Sequence, residues 1–413
     1  MKKILCLAVV LTSFYSFSID RIVQQNGPVG TYASIGAAVT AAVDGDQIII
    51  NNRIDLLPWI ENITINKSLT FLCAADNTQF WVEGTYTVAM ADNRNIVING
   101  MKNTNGAISQ SGTTPTFKTN LSIVQSDITG SISLSTPGIN LLVSNTKAYA
   151  VSYCFGKVLG CDLRNITLYN DVLSTDDVNL IVGNRVGYLY AAIGATVSIQ
   201  NTTQYLFFSN NFCYNNNSDD AVNISGLKAG PIGNRILNCT IVQAGSTDNP
   251  NVGGAGMGLR INFTGGALLT VENSSMGGTY NGTSAGSNGL YITNGAATTT
   301  FTYNMYYNYY TAGGYYTNPS STLGNFSNTA AYSAINADGS SSSAVTVNAG
   351  NPLNDYLDLD LSRNDIGCFG GSYSRENFWP MVNTQSSRVI YVTTPRVVNQ
   401  GGTVNMTGTG IDE

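Results

Sequence analysis

The sequence predicts an all-β protein, a single-stranded right-handed parallel β-helix with a short N-terminal capping helix. Three observations predict it: short strands recur along the chain, polar residues follow them at a nearly fixed offset, and charged residues are scarce. Charged residues make up 11% of the 413 residues, against about 25% in average soluble proteins. Hydrophobic residues make up 43%, which is enough for a sizeable core. Uncharged polar groups are therefore expected to keep a folded chain in solution.

The composition excludes several classes of function. The sequence contains no histidine, which removes Ser-His-Asp and Cys-His nucleophile systems, imidazole bases and His-ligated zinc. A net charge of −6 with 19 basic residues gives no electrostatic footprint for nucleic acid, and no nucleic-acid partner is expected. Any chemistry must therefore use carboxylates, Lys, Arg, Tyr or an oxygen-liganded metal.

Residues 1–18 are typical of a secretory signal peptide. Lys2 and Lys3 precede an apolar run from Ile4 to Leu11, and Ser16-Phe17-Ser18 is a small-x-small cleavage pattern. No later segment approaches the length of about 18 continuous apolar residues that a membrane span needs. We therefore predict a secreted or cell-surface bacterial protein with no membrane span once the signal is removed.

The cysteines give no sign of a metal or redox motif. One of the seven lies in the predicted signal, and the remaining six form no C-x-x-C pair. Six in so long a chain are too few for a disulfide framework, so most are expected to be small buried apolar residues. They are Cys73, Cys154, Cys161, Cys213, Cys239 and Cys368.

The segment after the signal predicts one short helix followed by a strand. Ser34 is in position to cap a helix in which Ile35, Val39 and Val43 share one face. An Asp-Gly-Asp turn then ends the helix, and the β-branched residues 47–51 predict a strand.

From about Ile63 onward, short strands alternate with polar turns. Many share one form, in which two or three apolar residues and a spacer precede Asn, Ser or Cys. Successive polar residues are 19, 16, 23, 26, 28 and 35 residues apart, a period that indicates a solenoid. These residues are Ser126, Asn145, Cys161, Asn184, Asn210, Asn238 and Asn273.

A parallel β-helix explains the short strands and the recurring polar position together. Each repeat is one coil, and we expect the polar side chains to stack from coil to coil inside the bend, where they satisfy one another. Sandwiches and barrels have longer alternating strands, usually joined by hairpins. Coils lie about 4.8 Å apart, where two like charges repel by about 1 kcal/mol even in water. The scarcity of charge follows from that spacing.

Residues 350–373 interrupt the repeat. They resemble the closing segment of secreted bacterial right-handed parallel β-helix proteins of the pectate-lyase-like superfamily, and residues 31–51 resemble the N-terminal cap of the same proteins. The resemblance covers about residues 30–375 and implies the fold, but it implies little about activity. The matching residues are Asp358, Asp360, Arg363, Asp365, Ile366, Gly367, Phe369 and Gly370; Leu361 and Cys368 replace the usual Gly and Ala.

The pattern changes again after Trp379-Pro380. Residues 387–413 hold two apolar strands and a Gly-Gly turn, and they resemble the opening of an immunoglobulin-like module, which has about 100 residues when complete. We therefore predict a signal peptide at 1–18, a β-helix at 19–375, and a linker with the first strands of an incomplete β-sandwich module at 376–413. The alternative is that these strands pack back on the solenoid.

The sharpest catalytic candidate is the pair Asp219-Asp220 at a strand entry. Adjacent carboxylates can share a proton or flank a glycosidic bond as acid and base. The segment resembles the Asp-Asp motif of polygalacturonases, the segment around Asp176 resembles their Asn-Thr-Asp motif, and Arg260-Ile261-Asn262 resembles their Arg-Ile-Lys element. This resemblance implies Asp176, Asp219 and Asp220 as candidate catalytic residues.

The sequence departs from that family in three respects. The Gly-His-Gly motif is absent, and Asp176 and Asp219 are 43 residues apart, about two coils rather than one. Adjacent residues of a strand also point to opposite faces. The alternative is a capped, solvated turn. A lyase is not favoured either, since the Arg-x-Pro-x-x-Arg element of pectate lyases is absent and basic residues are few.

Two further clusters are candidates for binding. Residues 302–319 hold seven tyrosines, and aromatic faces stack on sugar rings; the alternative is that these rings fill the edge of the core. Asp358 and Asp360 share a strand face and are the candidate ligands for calcium, the one cofactor considered; the alternative is that such carboxylates pair with Arg363 or cap the terminal turn. The candidate ligand-binding tyrosines are Tyr306, Tyr307, Tyr309 and Tyr310.

The sequence therefore predicts an exported cell-surface β-helix protein that binds glycans or a partner surface through a long repetitive face, as an adhesin does. Binding without catalysis is preferred. The alternative is a polysaccharide-degrading glycoside hydrolase or lyase of the β-helix type that uses the carboxylates. A structural stalk is a third hypothesis and predicts no glycan affinity.

Overall fold

A computed structural model gives the fold of the chain. It describes residues 18–75, 78–173, 177–187, 196–216, 219–243, 256–278, 289–294, 298–307, 324–328, 339–340, 345–379, 381, 388–393, 404 and 406–411. The predicted signal peptide lies outside these residues except for Ser18.

The described chain contains one α-helix, α1 (Ile35–Ala41), and two 3₁₀ turns, Asn354–Tyr356 and Arg375–Asn377. The other elements are strands. In chain order they are β1 (Asp20–Val23), β2 (Gln47–Ile50), β3 (Trp59–Ile60), β4 (Ile63–Ile65), β5 (Thr70–Cys73), β6 (Phe80–Glu83), β7 (Tyr86–Ala89), β8 (Asn95–Asn99), β9 (Met101–Asn103), β10 (Ile108–Ser111), β11 (Thr119–Val124), β12 (Asp127–Ser133), β13 (Ile139–Ser144), β14 (Lys147–Tyr153), β15 (Phe155–Leu159), β16 (Asp162–Leu168), β17 (Val178–Val182), β18 (Arg185–Val186), β19 (Val197–Gln200), β20 (Tyr205–Ser209), β21 (Phe212–Asn215), β22 (Val222–Gly226), β23 (Asn234–Leu237), β24 (Thr240–Gln243), β25 (Leu259–Asn262), β26 (Leu269–Glu272), β27 (Ser275–Gly278), β28 (Leu290–Asn294), β29 (Thr299–Thr302), β30 (Met305–Tyr307), β31 (Phe326–Asn328), β32 (Arg388–Thr393) and β33 (Thr407–Ile411).

Parallel pairing organises the strands into coils. One sheet of 12 strands runs β1-β2-β5-β8-β11-β13-β15-β17-β20-β23-β26-β29. A second sheet of 19 strands contains two columns, which merge where the long strands β12, β14 and β16 cross both. Each strand pairs with the equivalent strand of the next coil, so the predicted parallel β-helix is confirmed.

The core lies between the sheets and is built from one column of apolar side chains per strand position. Strands of the 12-stranded sheet bury every second residue, as their short alternating sequences require. Equivalent buried residues then stack from coil to coil. On this sheet they are Ile48, Phe71, Ile98, Ile123, Val143, Val158, Ile181, Phe208, Ile236, Val271 and Phe301.

The helix α1 caps the N-terminal end of the core, as predicted. Ser34 Oγ accepts a hydrogen bond from Ala37 N at 3.1 Å, and Ile35 and Val39 are buried. The helix ends at Ala41, so Val43 lies beyond it and is exposed, against the prediction that it shares the buried face.

Charged side chains from the second coil hold both ends of α1. The Glu61 carboxylate accepts from the backbone N–H groups of Ile35 and Gly36, each at 2.8 Å. Lys67 Nζ donates to three backbone carbonyls at the other end, at Val39, Thr40 and Ala42. A carboxylate at the N-terminus and an ammonium at the C-terminus both complement the helix dipole.

A column of polar side chains stacks inside the bend that follows the 12-stranded sheet. Each member accepts a bond from the backbone N–H of the member one coil earlier: Cys161 N donates to Asn184 Oδ1 at 2.8 Å, and Asn184 N donates to Asn211 Oδ1 at 3.0 Å. The amides also pair directly, Asn184 Nδ2 with Asn211 Oδ1 at 2.9 Å. We call this column the inner polar stack. Its members are Ser126, Thr146, Cys161, Asn184, Asn211, Cys239, Ser274, Asn304 and Asn325.

The residue before each stack member takes a left-handed backbone conformation. Its φ is 48° at Asn145, 53° at Asn210 and 70° at Gly183. Asn and Gly are the residues that adopt this conformation at least cost. The prediction is therefore correct for Ser126, Cys161 and Asn184 and wrong by one position for the others. The asparagines at the left-handed position instead of in the stack are Asn145, Asn210, Asn238 and Asn273.

Residues 345–379, here the closing segment, lie over this bend from the outside. Asn210 Nδ2 donates to the carbonyl of Gly370 at 2.6 Å, and Asn238 Nδ2 donates to Asn364 Oδ1 at 2.7 Å. Phe378 then packs on Leu159 and Val182, which face outward from earlier coils. The closing segment therefore runs back along the solenoid, which buries the side chains of the left-handed asparagines.

Strands β32 and β33 form a two-stranded antiparallel sheet. Tyr391 of β32 stacks on Tyr373 with ring centroids 5.1 Å apart and belongs to the cluster around Phe378. Lys157 Nζ reaches Thr409 of β33 at 3.1 Å. These strands thus contact the solenoid, which was the alternative considered for residues 376–413, while the immunoglobulin-like resemblance stays a prediction.

One outward column of the second sheet carries charges that alternate in sign. Its neighbours along the stack are Lys102, Asp127, Lys147, Asp162 and Arg185. Arg185 Nη2 lies 2.6 Å from Asp162 Oδ2. Where the coil spacing forces charges together, the sequence places opposite signs side by side, in agreement with the expected cost of like charges.

The six cysteines are free and buried, as predicted for small apolar residues. Burial raises the pKa of Cys161 to about 12, so this thiol stays protonated within its stack. In the described part of the chain, no helix is long and apolar enough to cross a membrane.

The inner polar stack generates a stability prediction. Asn211→Ala leaves the Asn184 backbone N–H and the Ile181 carbonyl without their partner in a fully buried site. We expect urea denaturation to show a loss of about 2–4 kcal/mol in the free energy of unfolding. The matched control is Asn120→Ala, which breaks an amide ladder on the exposed surface, where the loss is expected to be within about 0.5 kcal/mol. Equal losses in the two variants would contradict the assignment.

Candidate functional site

One outer face of the second sheet carries a continuous column of hydroxyl and amide side chains. The column runs through β4, β7, β10, the ends of β12, β14 and β16, and then β19 and β22. We call it the hydroxyl face. Its residues are Thr64, Thr87, Ser109, Ser133, Ser152, Thr167, Ser198 and Asn223.

The hydroxyl face is uncharged, and its side chains are all partly or fully exposed. Neighbouring hydroxyls hydrogen-bond along the column, as at Thr87 and Ser109, whose oxygens are 3.2 Å apart. Seven coil steps of about 4.8 Å give the column a length of about 34 Å. The side chains beside it are also small, for example Ser131, Ala150 and Asn165 on three successive coils. The result is a column of donors and acceptors at a regular spacing.

The column continues into a charged end. Arg260 of β25 follows Asn223, and Tyr291 of β28 follows Arg260. The guanidinium lies 5.0 Å from the centre of the Tyr291 ring, and Arg260 Nε lies 2.6 Å from Asp220 Oδ2. The arginine is thereby fixed by an aromatic face on one side and a carboxylate on the other.

Asp220 is the buried partner in this arrangement, with 7% of its surface exposed. Its Oδ1 accepts from Met257 N at 2.9 Å, and its Oδ2 accepts from Asn223 Nδ2 at 3.0 Å as well as from Arg260. Both carboxylate oxygens are therefore engaged by protein donors. This geometry favours a structural role for Asp220, the orientation of Arg260, over the predicted role in catalysis.

Of the other two candidate carboxylates, only Asp219 lies in the described part of the chain. Asp219 lies at the bend before β22, and its backbone carbonyl accepts from Gln243 Nε2 at 2.6 Å. Asp176 lies outside the described residues. A catalytic carboxylate pair thus stays a prediction.

The structure corrects the tyrosine prediction at Tyr306. This residue pairs with Met276 in the inward column of its sheet, is 2% exposed, and packs edge-on against Phe301 with ring centroids 6.4 Å apart. Its ring fills the core and is not available to a surface ligand. Tyr307 is described only as backbone in β30, and Tyr309 and Tyr310 lie outside the described residues.

The prediction that Asp358 and Asp360 share a strand face is wrong, because no strand forms in this part of the closing segment. Each carboxylate instead holds a local turn. Asp358 accepts from the backbone N–H of Gly371 at 2.5 Å and of Asp365 at 3.1 Å, and Asp360 accepts from Ser362 N at 2.9 Å. Within the described residues, no group of three or more His, Cys, Asp or Glu side chains is arranged to hold a metal. Calcium binding remains a prediction.

Asp358 has a shifted pKa. Burial raises it to about 6, and the nearby carboxylates of Asp365 and Asp360 act in the same direction, against the lowering effect of the backbone donors. Burial also raises the pKa of Asp365. The closing segment therefore contains two carboxyl groups that are harder to ionise in the folded protein than in the unfolded chain.

Sequence reasoning did not single out the hydroxyl face, although the signal is present. In most coils the strand that carries the hydroxyl face reads apolar, hydroxyl, apolar: Ile63-Thr64-Ile65, Val151-Ser152-Tyr153 and Ile166-Thr167-Leu168 are three cases. The alternation places the hydroxyl outward each time. This second repeat lies within the strands, whereas the predicted repeat of Asn, Ser and Cys lies where strands end.

Comparison with known proteins adds little. No protein-family model matches the chain, and no curated protein is significantly similar to it in sequence. Among solved structures, the crystal structure of pectate lyase Pel9A is similar at a TM-score of 0.39 and 14% sequence identity, over 87% of this chain and 98% of that one. The fold assignment rests on the strand pairings themselves.

The Asp220–Arg260 pair predicts an energetic coupling. Asp220→Asn leaves Arg260 without its counter-charge, and Arg260→Met leaves a buried carboxylate unpaired, so each change is expected to destabilise the fold by about 1–3 kcal/mol. In a double-mutant cycle the combined variant should lose less free energy of unfolding than the two single variants together. The reason is that the second change removes the charged group that the first change left without its partner. Additive losses measured by urea denaturation would contradict the structural role.

Asp358 predicts a pH dependence. Its folded pKa of about 6 lies above the value of about 3.9 for an unfolded aspartate, so between these values the folded state binds a proton that the unfolded chain lacks. Stability is therefore expected to rise as the pH falls from 7.5 to 5. Thermal unfolding across this range tests it, and Asp358→Asn should flatten the dependence. A wild-type stability that falls over the same interval would refute the assignment.

Proposed function

We propose that this protein is an exported β-helix scaffold that binds glycans through the hydroxyl face. The observation that supports the proposal is an uncharged column of eight hydroxyl and amide side chains that repeats once per coil. The apolar run and cleavage pattern of residues 1–18 support export to the medium or the bacterial cell surface.

The chemistry of the face matches that of a sugar polymer. Hydroxyls and amides both donate and accept hydrogen bonds, as sugar hydroxyls do. A regular array presents many weak contacts at once, so affinity accumulates over a long ligand although each contact is small. The array is held by a rigid sheet, so little ordering entropy is lost when a ligand binds.

The alternative function is polysaccharide degradation by carboxylates of the β-helix. The observation in its favour is the position of Asp220 against Arg260, which lies beside Tyr291 at one end of the hydroxyl face. The saturation of Asp220 by Met257, Asn223 and Arg260 disfavours it.

Binding to a panel of insoluble and soluble polysaccharides tests the proposal. Ser133→Lys places a long charged side chain in the middle of the hydroxyl face, and we expect it to weaken binding at least about tenfold, or about 1.4 kcal/mol. The matched control is Ser122→Lys, a serine that points outward from the 12-stranded sheet. We expect this control to bind as the wild type does.

The same panel separates the hypotheses. Release of reducing ends above background by the wild type would favour the enzyme, and loss of that release in Asp219→Asn would identify its acid. Equal binding by Ser133→Lys and the wild type would place the ligand elsewhere. Failure to bind any glycan would contradict the proposed function.

A further inference from the structure

Lys118 and Asp171 make a buried contact that is not part of the hydroxyl face. Lys118 Nζ lies 2.7 Å from Asp171 Oδ2, and the two side chains are 12% and 0% exposed. Lys118 directly precedes β11, and Asp171 follows β16. Because β11 pairs with β13 and β13 pairs with β15, the contact joins coils that are two steps apart.

The pair has the separation of a hydrogen bond but not its geometry. Within the described part of the chain, neither Lys118 Nζ nor Asp171 Oδ2 has a hydrogen-bond partner, although both atoms are buried. The Phe155 ring lies over Nζ at 3.6 Å. An ammonium carries three N–H donors, and burying them without acceptors is costly. A secondary amide formed from this nitrogen has only one N–H and no charge, so its burial costs less than that of the ammonium.

The carboxyl group of Asp171 is held for attack on its carbon. Leu173 N donates to Asp171 Oδ1 at 2.9 Å, while Oδ2 faces the lysine. The two oxygens are therefore distinct: one is held by a backbone donor, and the other lies next to the nitrogen. A donor on Oδ1 stabilises the negative charge that develops there when a nucleophile adds to the carbon.

We propose that Lys118 and Asp171 are joined by an intramolecular amide bond. The uncharged amine attacks Cγ of the carboxylic acid, the Nζ–Cγ bond forms, and the Cγ–Oδ2 bond breaks. Oδ2 leaves as water with one proton from the amine and one from the acid, so the condensation needs no oxidant, cofactor or second substrate. The Phe155 ring and the buried surroundings keep water from the bond once it has formed.

The bond would join covalently two coils that are otherwise held together by noncovalent contacts. It closes a loop between Lys118 and Asp171, which lowers the entropy of the unfolded chain as a disulfide does. Unlike a disulfide, it is unaffected by reducing agents. The six described cysteines are all free, so none of them forms a disulfide that would join coils in this way.

The intact mass of the purified full chain tests the proposal without any variant. We expect the wild-type mass to be lower by one water than the mass calculated from the sequence, starting at the N-terminus that the purified chain has. We also expect a proteolytic digest to contain the peptide of Lys118 joined to the peptide of Asp171. The full mass with the two peptides separate would overturn the proposal and leave an ion pair.

Lys118→Arg is the matched control. It keeps a positive charge beside Asp171 but replaces the attacking amine with a guanidinium, so we expect the full mass, separate peptides and a lower urea midpoint than that of the wild type. Asp171→Asn tests the chemistry itself. Attack of the lysine on the asparagine amide gives the same bond with loss of ammonia instead of water, so we expect the joined peptides in this variant too. A cross-linked digest peptide in Lys118→Arg would assign the bond to another residue and contradict the proposal.

Discussion

The register between coils is the constraint on which the rest of the structure depends. Parallel pairing places each side chain about 4.8 Å from its equivalents in the coils before and after. A residue type whose side chains repel one another at this distance is therefore either absent from a column or alternates with a type that it attracts. Amides and hydroxyls bond to one another, as in the inner polar stack and on the hydroxyl face. Charges alternate in sign, from Lys102 to Asp127 and Lys147. The scarcity of charge and the abundance of uncharged polar residues are thus consequences of register.

Register also explains how the irregular parts are attached. The left-handed position of the bend turns amides such as Asn210 and Asn238 outward, and the closing segment satisfies them with Gly370 and Asn364. Apolar residues face outward where that segment continues, as at Leu159 and Val182 beneath Phe378. The position of the closing segment is therefore set by the repeating residues that it covers. None of its described contacts reaches the hydroxyl face on the second sheet.

The sequence predicted what depends on local rules. The cap at Ser34, the parallel coils and the buried cysteines follow from capping chemistry, strand length and composition. The inner polar stack was predicted with an error of one position at Asn145 and its equivalents, because Asn is suited both to the stack and to the left-handed residue before it. Glycine at that position, as at Gly183, is the signal that separates the two, since the residue after it is always the stack member.

The candidate sites were predicted less well because they depend on contacts between distant residues. Nothing near Asp220 in the sequence shows that Met257 and Arg260, about 40 residues later, engage its carboxylate. Tyr306 sits in a run of aromatics with no clear alternation, so its inward direction is set by its pairing with Met276. Lys118 and Asp171 are related only by the coil geometry. To predict which way a side chain points in a solenoid, one must know the register between coils. The irregular turn lengths hide that register in the sequence.

Distances between spin labels along the outer column measure the register most directly. With one nitroxide at position 64 and the second at 152, 167 or 198, the account predicts backbone separations of about 19, 24 and 29 Å, one coil spacing per step. The steps in sequence are unequal, since Ser152 and Thr167 are 15 residues apart and Thr167 and Ser198 are 31 apart. Pulsed electron resonance that finds equal increments supports stacked coils in register. Increments that follow sequence separation, or no increase at all, would contradict them.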